Sequence, residues 1–181
     1  AKVKGLLQGL EAELHVVLDV MLPAWRAVDA LKAFRAEFPT VSLHMSIEAL
    51  GAVPQAVLSL TATMGVGGPL NNGIAGIERI GIGSGELIPV AAPDHPLILA
   101  GRNPPGATRE HIQLVLTDRS PLTQGRDINV LATQTWRLAD LGAKRILLRE
   151  GIGWGNMPEP MVRDDIVAGR LKVIDAPDLP G

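Results

Sequence analysis

Apolar and polar residues follow each other in clear patterns along the first half of the chain. They alternate from 13 to 20, which predicts a strand with one apolar face. Apolar residues then recur at helical spacing from 24 to 38, and Pro39 ends this helix because it excludes the helical conformation from its predecessor. The alternation between 41 and 47 is the clearest strand signal in the chain. These patterns predict a strand–helix–strand order.

The same order continues after residue 50. A short helix pattern covers 53–60, and an apolar strand pattern follows at 62–67. Two such strand–helix–strand units predict a parallel sheet with right-handed crossovers. A glycine- and proline-rich loop comes next, and two further strands are predicted at 77–83 and 86–92.

The second half of the chain again mixes strand and helix patterns. Gly151 and Gly169 each follow an apolar helix pattern, at the position where glycine tolerates the left-handed conformation of a helix end. Proline is favoured at the first helical position. The predicted elements are strands at 112–116 and 127–131, a helix at 135–150, a helix that begins at Pro158 or Pro160, and a strand at 170–174.

Composition limits the class of protein. The 181 residues are 46% hydrophobic and 20% charged, which is typical of a globular domain and not of a disordered chain. The net charge of −2 and the scattered Lys and Arg residues disfavour a nucleic-acid surface on this chain. Cysteine is absent, and no apolar run reaches the ~18 residues of a membrane span. We therefore expect a cytoplasmic protein with no disulfides and no membrane contact.

The sequence shows no catalytic or metal-binding signature. The four histidines His15, His44, His95 and His111 lack the spacing of metal ligands, and no nucleophile motif or phosphate-binding loop is present. Asp164 and Asp165 are adjacent on a predicted helix and do not face one another, so a solvated or capping role is expected. We predict no catalytic residues, no metal site and no cofactor.

Candidate ligand-binding residues follow the predicted strands of the first half. Asp19 ends the first strand and Glu48 ends the second, and parallel strands bring their carboxyl ends to one edge. Gly67 and Gly68 follow the third strand. These glycines either form a tight turn or let a ligand approach the backbone, and the sequence leaves both possibilities open.

The second half offers further candidates. Thr133 and Thr135 precede the predicted helix at 135–150, where hydroxyl groups cap free backbone N–H groups. Trp154 lies between Gly153 and Gly155 in a predicted loop, where it either packs or contacts a ligand. Helix N-termini favour an anionic ligand, whereas carboxylates favour a hydroxyl or an amine. The pattern therefore predicts a small polar ligand of undecided charge.

Several motifs occur in an order that resembles a known family over nearly the whole chain. They include Met21-Leu22-Pro23, Phe34 to Phe38 before a proline, His95-Pro96-Leu97, the segment from Thr135 to Leu141, and the order of helix, glycine-rich segment, proline-started helix and strand near the end. This order resembles the effector-binding domain of LysR-type transcriptional regulators. Thr63 is a departure, because the family usually has an aspartate there.

The resemblance implies a type 2 periplasmic-binding-protein-like fold, with two α/β subdomains and a central cleft. The implied division is a linker at 1–12 from an absent DNA-binding segment, a first subdomain at 13–86, a second at 87–174, and a truncated crossing back at 175–181. The predicted effector-binding residues in the cleft are Asp19, Val20, Met21, Glu48, Gly67, Gly68, Thr133, Thr135, Gly153 and Trp154.

The resemblance also implies partners. We expect a small-molecule effector, a homodimer or tetramer that uses the apolar helices 24–38 and 135–150, and DNA contact only through an absent winged helix-turn-helix. The alternative is a solute-binding protein of a transporter, which shares this fold. An enzyme is the least supported class, because no catalytic constellation is visible.

Overall fold

The computed structural model describes residues 13–68, 74–118, 120–124 and 129–179. The strands within these ranges are β1 (Glu13–Asp19), β2 (Ser42–Glu48), β3 (Met64–Val66), β4 (Leu87–Ala91), β5 (Gln113–Leu116), β6 (Thr135–Leu138), β7 (Trp154–Pro158) and β8 (Lys172–Val173). The helices are α1 (Ala24–Glu37), α2 (Ala52–Leu58), α3 (Pro96–Leu99), α4 (Leu141–Arg149) and α5 (Glu159–Val167), with a 3-10 turn at Ala107–Glu110. None of the helices in the described part of the chain is long and apolar enough to cross a membrane.

The chain divides into two compact units. Unit 1 comprises residues 1–80 and 118–124, and unit 2 comprises residues 81–117 and 125–181. The predicted boundary at 86–87 lies close to this division, but the return of 118–124 to unit 1 was not predicted. The predicted linker at 1–12 lies outside the described residues, and the predicted crossing at 175–181 stays a prediction.

Unit 1 is built on a three-stranded parallel sheet in the order β2-β1-β3. The predicted strand–helix–strand units are confirmed, because α1 connects β1 to β2 and α2 connects β2 to β3. A small core of Val17, Val53 and Ala62 lies between the sheet and α2, and Ala56 and Val57 pack against it.

The edge strand β2 is exposed along its whole length. Its apolar residues Leu43, Met45 and Ile47 are 36%, 46% and 56% exposed, and Trp25 on α1 is 59% exposed. The alternating pattern predicted the strand correctly. It did not predict that the apolar face stays uncovered in this chain.

Unit 2 contains a mixed five-stranded sheet in the order β6-β5-β7-β4-β8. β5 runs parallel to β6 and β7, whereas β4 runs antiparallel to β7 and β8. One buried cluster of this unit consists of Ala91, Leu97, Trp154, Ile174 and Ala176. This core is larger and includes an aromatic side chain, in contrast to the small aliphatic core of unit 1.

Several predicted helix boundaries are confirmed. Gly151 and Gly169 follow α4 and α5 with φ angles of 74° and 70°, in the left-handed region that glycine adopts without strain. Pro158 is the N-cap of α5, and Pro160 occupies its first turn. These glycines and prolines therefore mark helix ends as the sequence indicated.

Three predicted elements are wrong or lie partly outside the described residues. Residues 77–83 form no strand. The predicted strand at 127–131 includes residues outside the described part, and 129–131 are not in a strand. The predicted helix at 135–150 is a strand, β6, followed by α4. Asp140 separates the two, because its side chain accepts a hydrogen bond from Ala143 N and thereby caps α4.

Candidate functional site

The carboxyl edge of the unit 1 sheet collects six of the predicted ligand-binding residues. Asp19 and Glu48 are paired at the ends of β1 and β2, and Val66 ends β3 beside Leu18. The loops that follow these strands contain the other four: Val20, Met21, Gly67 and Gly68. This part of the predicted site is therefore brought together by the parallel register.

Asp19 connects the loops at this edge. Its residue is 4% exposed, and its carboxylate accepts a hydrogen bond from Met21 N at 2.8 Å. The backbone N–H groups of Leu50 and Gly68 also donate to it. Burial raises the pKa of the Asp19 carboxyl, and the nearby charge of Asp118 acts in the same direction, against the opposing effect of the backbone donors. Asp19 thus holds the loops after β1, β2 and β3 together.

The loop after β1 is also tied to its neighbour. Val20 N donates to the carbonyl oxygen of Glu48 at 2.8 Å. The following helix α1 has Pro23 as its N-cap, which supplies no side-chain hydrogen bond to the helix. The first turn of α1 therefore brings backbone N–H groups to this edge.

The segment 118–124 completes this edge. Asp118 Oδ2 accepts a hydrogen bond from Ala52 N at 2.9 Å, in the first turn of α2. The Thr123 hydroxyl donates to Asp118 Oδ1. A Cβ atom on Gly51 would lie 2.8 Å from Thr123 Cγ2, so a larger residue there would displace the Thr123 side chain. No local signal in the sequence could reveal this contact, because 66 residues separate Asp118 from Ala52.

A surface pocket of about 370 Å³ opens beside Glu48. It is lined by Ser46, Glu48, Ala52, Gln55, Ala56, Ser59, Thr61, Ala62, Ser120 and Pro121. Among these lining residues Glu48 alone is charged, and four carry hydroxyl groups. A carboxylate with surrounding hydroxyl and amide groups can bind a ligand that presents hydroxyl or amino groups.

The predicted role of Thr133 and Thr135 as helix caps is wrong. Both residues precede or begin strand β6, and the helix starts six residues after Thr135. Thr133 donates two hydrogen bonds to the carbonyl oxygen of Arg109, from its backbone N at 3.2 Å and from its hydroxyl at 3.0 Å. Thr133 therefore anchors the loop before β6.

The predicted loop position of Trp154 is also wrong. Trp154 begins strand β7, is 0% exposed, and donates from its indole Nε1 to Thr108 O at 3.1 Å. Gly153 is buried as well, and a Cβ there would lie 2.4 Å from Ile112 O. Close packing of β7 against the start of β5 thus accounts for the burial of both residues, and the Trp154 side chain presents no ligand-binding surface.

The four candidates in unit 2 lie at the amino ends of its parallel strands. Thr135 and Trp154 are both paired with Gln113, the first residue of β5. Ligands of open α/β sheets bind at the carboxyl ends instead. In unit 2 these ends are followed by Thr117, Asp140 and Glu159. The predicted convergence of both sets of residues on one cleft stays a prediction.

Sequence reasoning missed a buried ionic cluster in unit 2. Asp165 is 0% exposed and was expected to be solvated or capping. Its carboxylate accepts from Arg145 Nε at 2.5 Å and from Arg170 Nε at 2.6 Å, and Arg149 Nε lies 3.8 Å away. Burial alone would raise the pKa of Asp165, but the two arginine hydrogen bonds outweigh it and lower the pKa. The cluster fixes α4 to α5 and to the turn after α5.

Lys144 is a second buried charge that the pattern did not reveal. It lies on the inner face of α4, and its Nζ donates to Asn156 O on β7 at 2.8 Å. Burial lowers its pKa to about 8. Its position among apolar helix residues could have been read from the helical spacing of Leu141, Lys144 and Leu148.

The family comparison covers almost the entire chain. The model of the LysR substrate binding domain matches residues 7–181. No curated protein sequence matches the chain.

Similar folds occur among solved structures. The effector binding domain of QuiR in complex with shikimate superimposes with a TM-score of 0.71 at 15% identity, covering 93% of this chain and 82% of that one. The regulatory domain of Synechocystis PCC6803 CcmR in complex with 2-PG gives 0.70 at 12% identity, covering 94% and 83%. Full-length LysG from Corynebacterium glutamicum with bound effector Arg gives 0.63 at 17% identity, covering 96% and 60%. The chain therefore shares the fold of these domains.

Proposed function

Because the chain belongs to the LysR substrate binding domain family, we propose that it is the effector-sensing domain of a LysR-type transcriptional regulator. The observation that carries the proposal is the carboxyl edge of unit 1, where the loops after three parallel strands meet and where a surface pocket opens beside Glu48. Such an edge is where α/β folds bind small molecules.

The proposed effector is a small polar molecule with hydroxyl or amino groups. The pocket beside Glu48 combines one carboxylate with hydroxyl groups such as those of Ser46 and Ser120. The similar domains are described with shikimate, 2-PG and Arg, which are three different small polar ligands. The fold therefore accommodates varied effectors, and the residues at the edge select among them.

We assign different roles to the residues at this edge. Glu48 is exposed and is proposed to contact the effector directly. Val20, Met21, Gly67 and Gly68 are proposed to form the surrounding loops. Asp19 is a positioning residue, because its buried carboxylate is already engaged by backbone donors.

The four predicted effector-binding residues of unit 2 are not included in the proposed site. The proposal leaves out Gly153 and Trp154 because they are buried, and it leaves out Thr133 and Thr135 because their predicted helix is absent.

Sensing requires that the effector binds two conformations with different affinity, because equal affinity shifts no population. The carboxylate of Asp19 connects the loops after all three strands. These loops should therefore move together when the effector binds. The response would pass to a DNA-binding winged helix-turn-helix. We further propose that the domain acts in the cytoplasm as a regulator and not as an enzyme.

Regulatory domains of LysR-type proteins bind small molecules and form oligomers, and we propose a homo-oligomer here. The supporting observation is the uncovered apolar residues of β2 and α1, including Ile47 and Trp25 at 56% and 59% exposure. An uncovered apolar surface of this kind marks a contact with another protein surface. A transport role is not favoured, because the matched family is that of a regulator domain.

The ligand-binding proposal is tested by thermal-shift screening of the chain against a library of polar metabolites. We expect at least one compound to raise the unfolding temperature. Glu48→Gln should lower its affinity roughly tenfold, or by about 1.4 kcal/mol, because a charged hydrogen-bond acceptor is lost.

Glu37→Gln is the matched control, since Glu37 is the exposed last residue of α1. It should leave affinity unchanged. Equal affinity in the wild-type chain and Glu48→Gln would contradict the assigned contact, and a library without any stabilising compound would contradict ligand sensing.

The oligomer proposal is tested by sedimentation. Ile47→Glu should shift the chain toward the monomer because it introduces a charge into the exposed apolar face of β2. Ile82→Glu, at a position 78% exposed in unit 2, is the matched control and should leave the association unchanged. A wild-type chain that remains monomeric at high concentration would contradict the proposal.

A further inference from the structure

Two histidines face one another on neighbouring strands of unit 1. His15 on β1 and His44 on β2 are paired in the parallel register, so their side chains project from the same face of the sheet. Their rings are stacked, with centroids 4.7 Å apart and an interplanar angle of 9°. The pairing places the two imidazoles side by side at the edge of the sheet.

A carboxylate completes this group. Glu13 precedes His15 by two residues on β1 and therefore shares its face. Glu13 Oε2 lies 3.8 Å from His15 Nε2 and 4.0 Å from His44 Nε2. One donor atom from each of the three residues lies within 4.8 Å of the others.

This donor set has the chemistry of a transition-metal site. Two imidazole nitrogens and one carboxylate oxygen are a zinc ligand set that leaves a fourth position for water. Tetrahedral zinc with bonds of about 2.1 Å requires donors roughly 3.4 Å apart, which is close to the separations of Glu13 from the two histidines. Imidazole ligands favour zinc, copper or nickel over calcium and magnesium, which prefer oxygen.

The three donor side chains can move toward a common metal ion without disturbing the fold. The side chains of His15, His44 and Glu13 are 46%, 59% and 48% exposed, so each can rotate toward a common ion. Small rotations would also tilt the parallel rings so that both nitrogens point to one atom. The register of β1 and β2 already places the two histidines opposite each other.

We propose that Glu13, His15 and His44 bind one divalent transition-metal ion, with zinc as the expected occupant. The ion would connect the exposed edge strand β2 to the central strand β1. This site is separate in the sequence from the proposed effector-binding edge, because it uses the beginning of β1 where that edge uses the end. Its test is therefore independent of the proposed function.

The test is a calorimetric titration of the full chain with zinc chloride, after treatment with a chelator and its removal. We expect one zinc ion per chain. His15→Gln, His44→Gln and Glu13→Gln should each lower the affinity by roughly tenfold or more, equivalent to about 1.4 kcal/mol. Cobalt substitution should give the visible absorption of a tetrahedral ion with nitrogen and oxygen ligands.

His111→Gln is the matched control. His111 also contacts another histidine, His95, in an edge-to-face arrangement with ring centroids 5.1 Å apart, but the pair lies in unit 2. Its zinc titration should equal that of the wild-type chain. Circular dichroism in the presence of chelator should be the same for all variants, which separates loss of a ligand from loss of the fold.

The proposal would be overturned by the absence of zinc binding, by zinc binding that survives both histidine substitutions, or by a loss of binding in His111→Gln instead. Zinc affinity that is unchanged in Glu13→Gln would overturn the three-ligand site.

Discussion

Among the residues that the structure describes, each unit buries one aspartate, and the partners of the two aspartates differ. Asp19 in unit 1 accepts hydrogen bonds from backbone N–H groups of three loops, and burial raises its pKa. Asp165 in unit 2 is surrounded by Arg145, Arg149 and Arg170, and arginine hydrogen bonds lower its pKa. A buried charge with cationic partners holds helices in place, whereas one with backbone partners holds loops.

The hydrophobic cores of the two units differ as well. Unit 2 buries Trp154, Leu114, Leu148 and Met157 completely, while the core of unit 1 is centred on Val17 with its small aliphatic neighbours. Burial of large side chains supplies most of the favourable free energy of folding. We infer that unit 2 is the more stable scaffold and that unit 1 is the more responsive part.

Substitution in the unit 2 core should produce the largest loss of unfolding free energy. Trp154→Ala removes a fully buried aromatic side chain and its hydrogen bond to Thr108 O, so it should lower the free energy of unfolding by about 3–5 kcal/mol. Trp136→Ala is the matched control. Trp136 is 49% exposed on β6, and its substitution should lower the free energy of unfolding by less than about 1 kcal/mol. Urea denaturation measures both, and equal costs would contradict the assignment of Trp154 to the core.

A smaller effect is expected at Asp165. Asp165→Asn removes the charge that pairs with Arg145 and Arg170, and half-exposed arginines limit the cost to about 1–3 kcal/mol. Because the folded pKa is lowered, the stabilisation is present above the ordinary value of 3.8 and is lost as the pH falls through the folded pKa. Asp164→Asn, at the exposed neighbouring position, is the control. The difference in unfolding free energy between wild type and Asp165→Asn should shrink in acid, and a constant difference would contradict the ion pairs.

The smallest loss of stability is expected at Asp19, and its pH dependence should run in the opposite direction to that of Asp165. Because its folded pKa is raised, the carboxyl favours folding in its protonated form. Its contribution to stability falls as the pH rises from 3.8 through the folded pKa. Asp19→Asn should abolish this pH dependence and should cost on the order of 1 kcal/mol at neutral pH, because one acceptor oxygen is lost. Thermal unfolding across this pH range measures the effect. A pH dependence that persists in Asp19→Asn would show that another group causes it.

The sequence predicted the local structure of unit 1 well, because alternation and helical spacing are local signals. The strands ending at Asp19 and Glu48 were identified, and a parallel sheet then brings their ends together without further information. The uncovered face of β2 was not foreseeable, since an apolar pattern does not specify which surface covers it.

The wrong prediction of a helix at 135–150 in unit 2 has a local cause. The apolar residues Trp136 and Ala139 continued the helical spacing of α4 backwards, which extended the predicted helix across β6. The capping signal of Asp140 before Leu141 would have placed the helix start correctly. Long-range pairings had no such signal. The stacking of His15 on His44 depends on the register of two strands, and the cluster at Asp165 depends on arginines from separate segments.

The hydrogen bond from Ala52 N to Asp118 has a consequence for the order in which the chain is synthesised. When the first 80 residues leave the ribosome, the first turn of α2 still lacks its carboxylate acceptor. Unit 1 can reach its final form only after β5 and the segment 118–124 have emerged. Closing so long a loop slows folding, so the nascent first unit should remain loosely structured until that point.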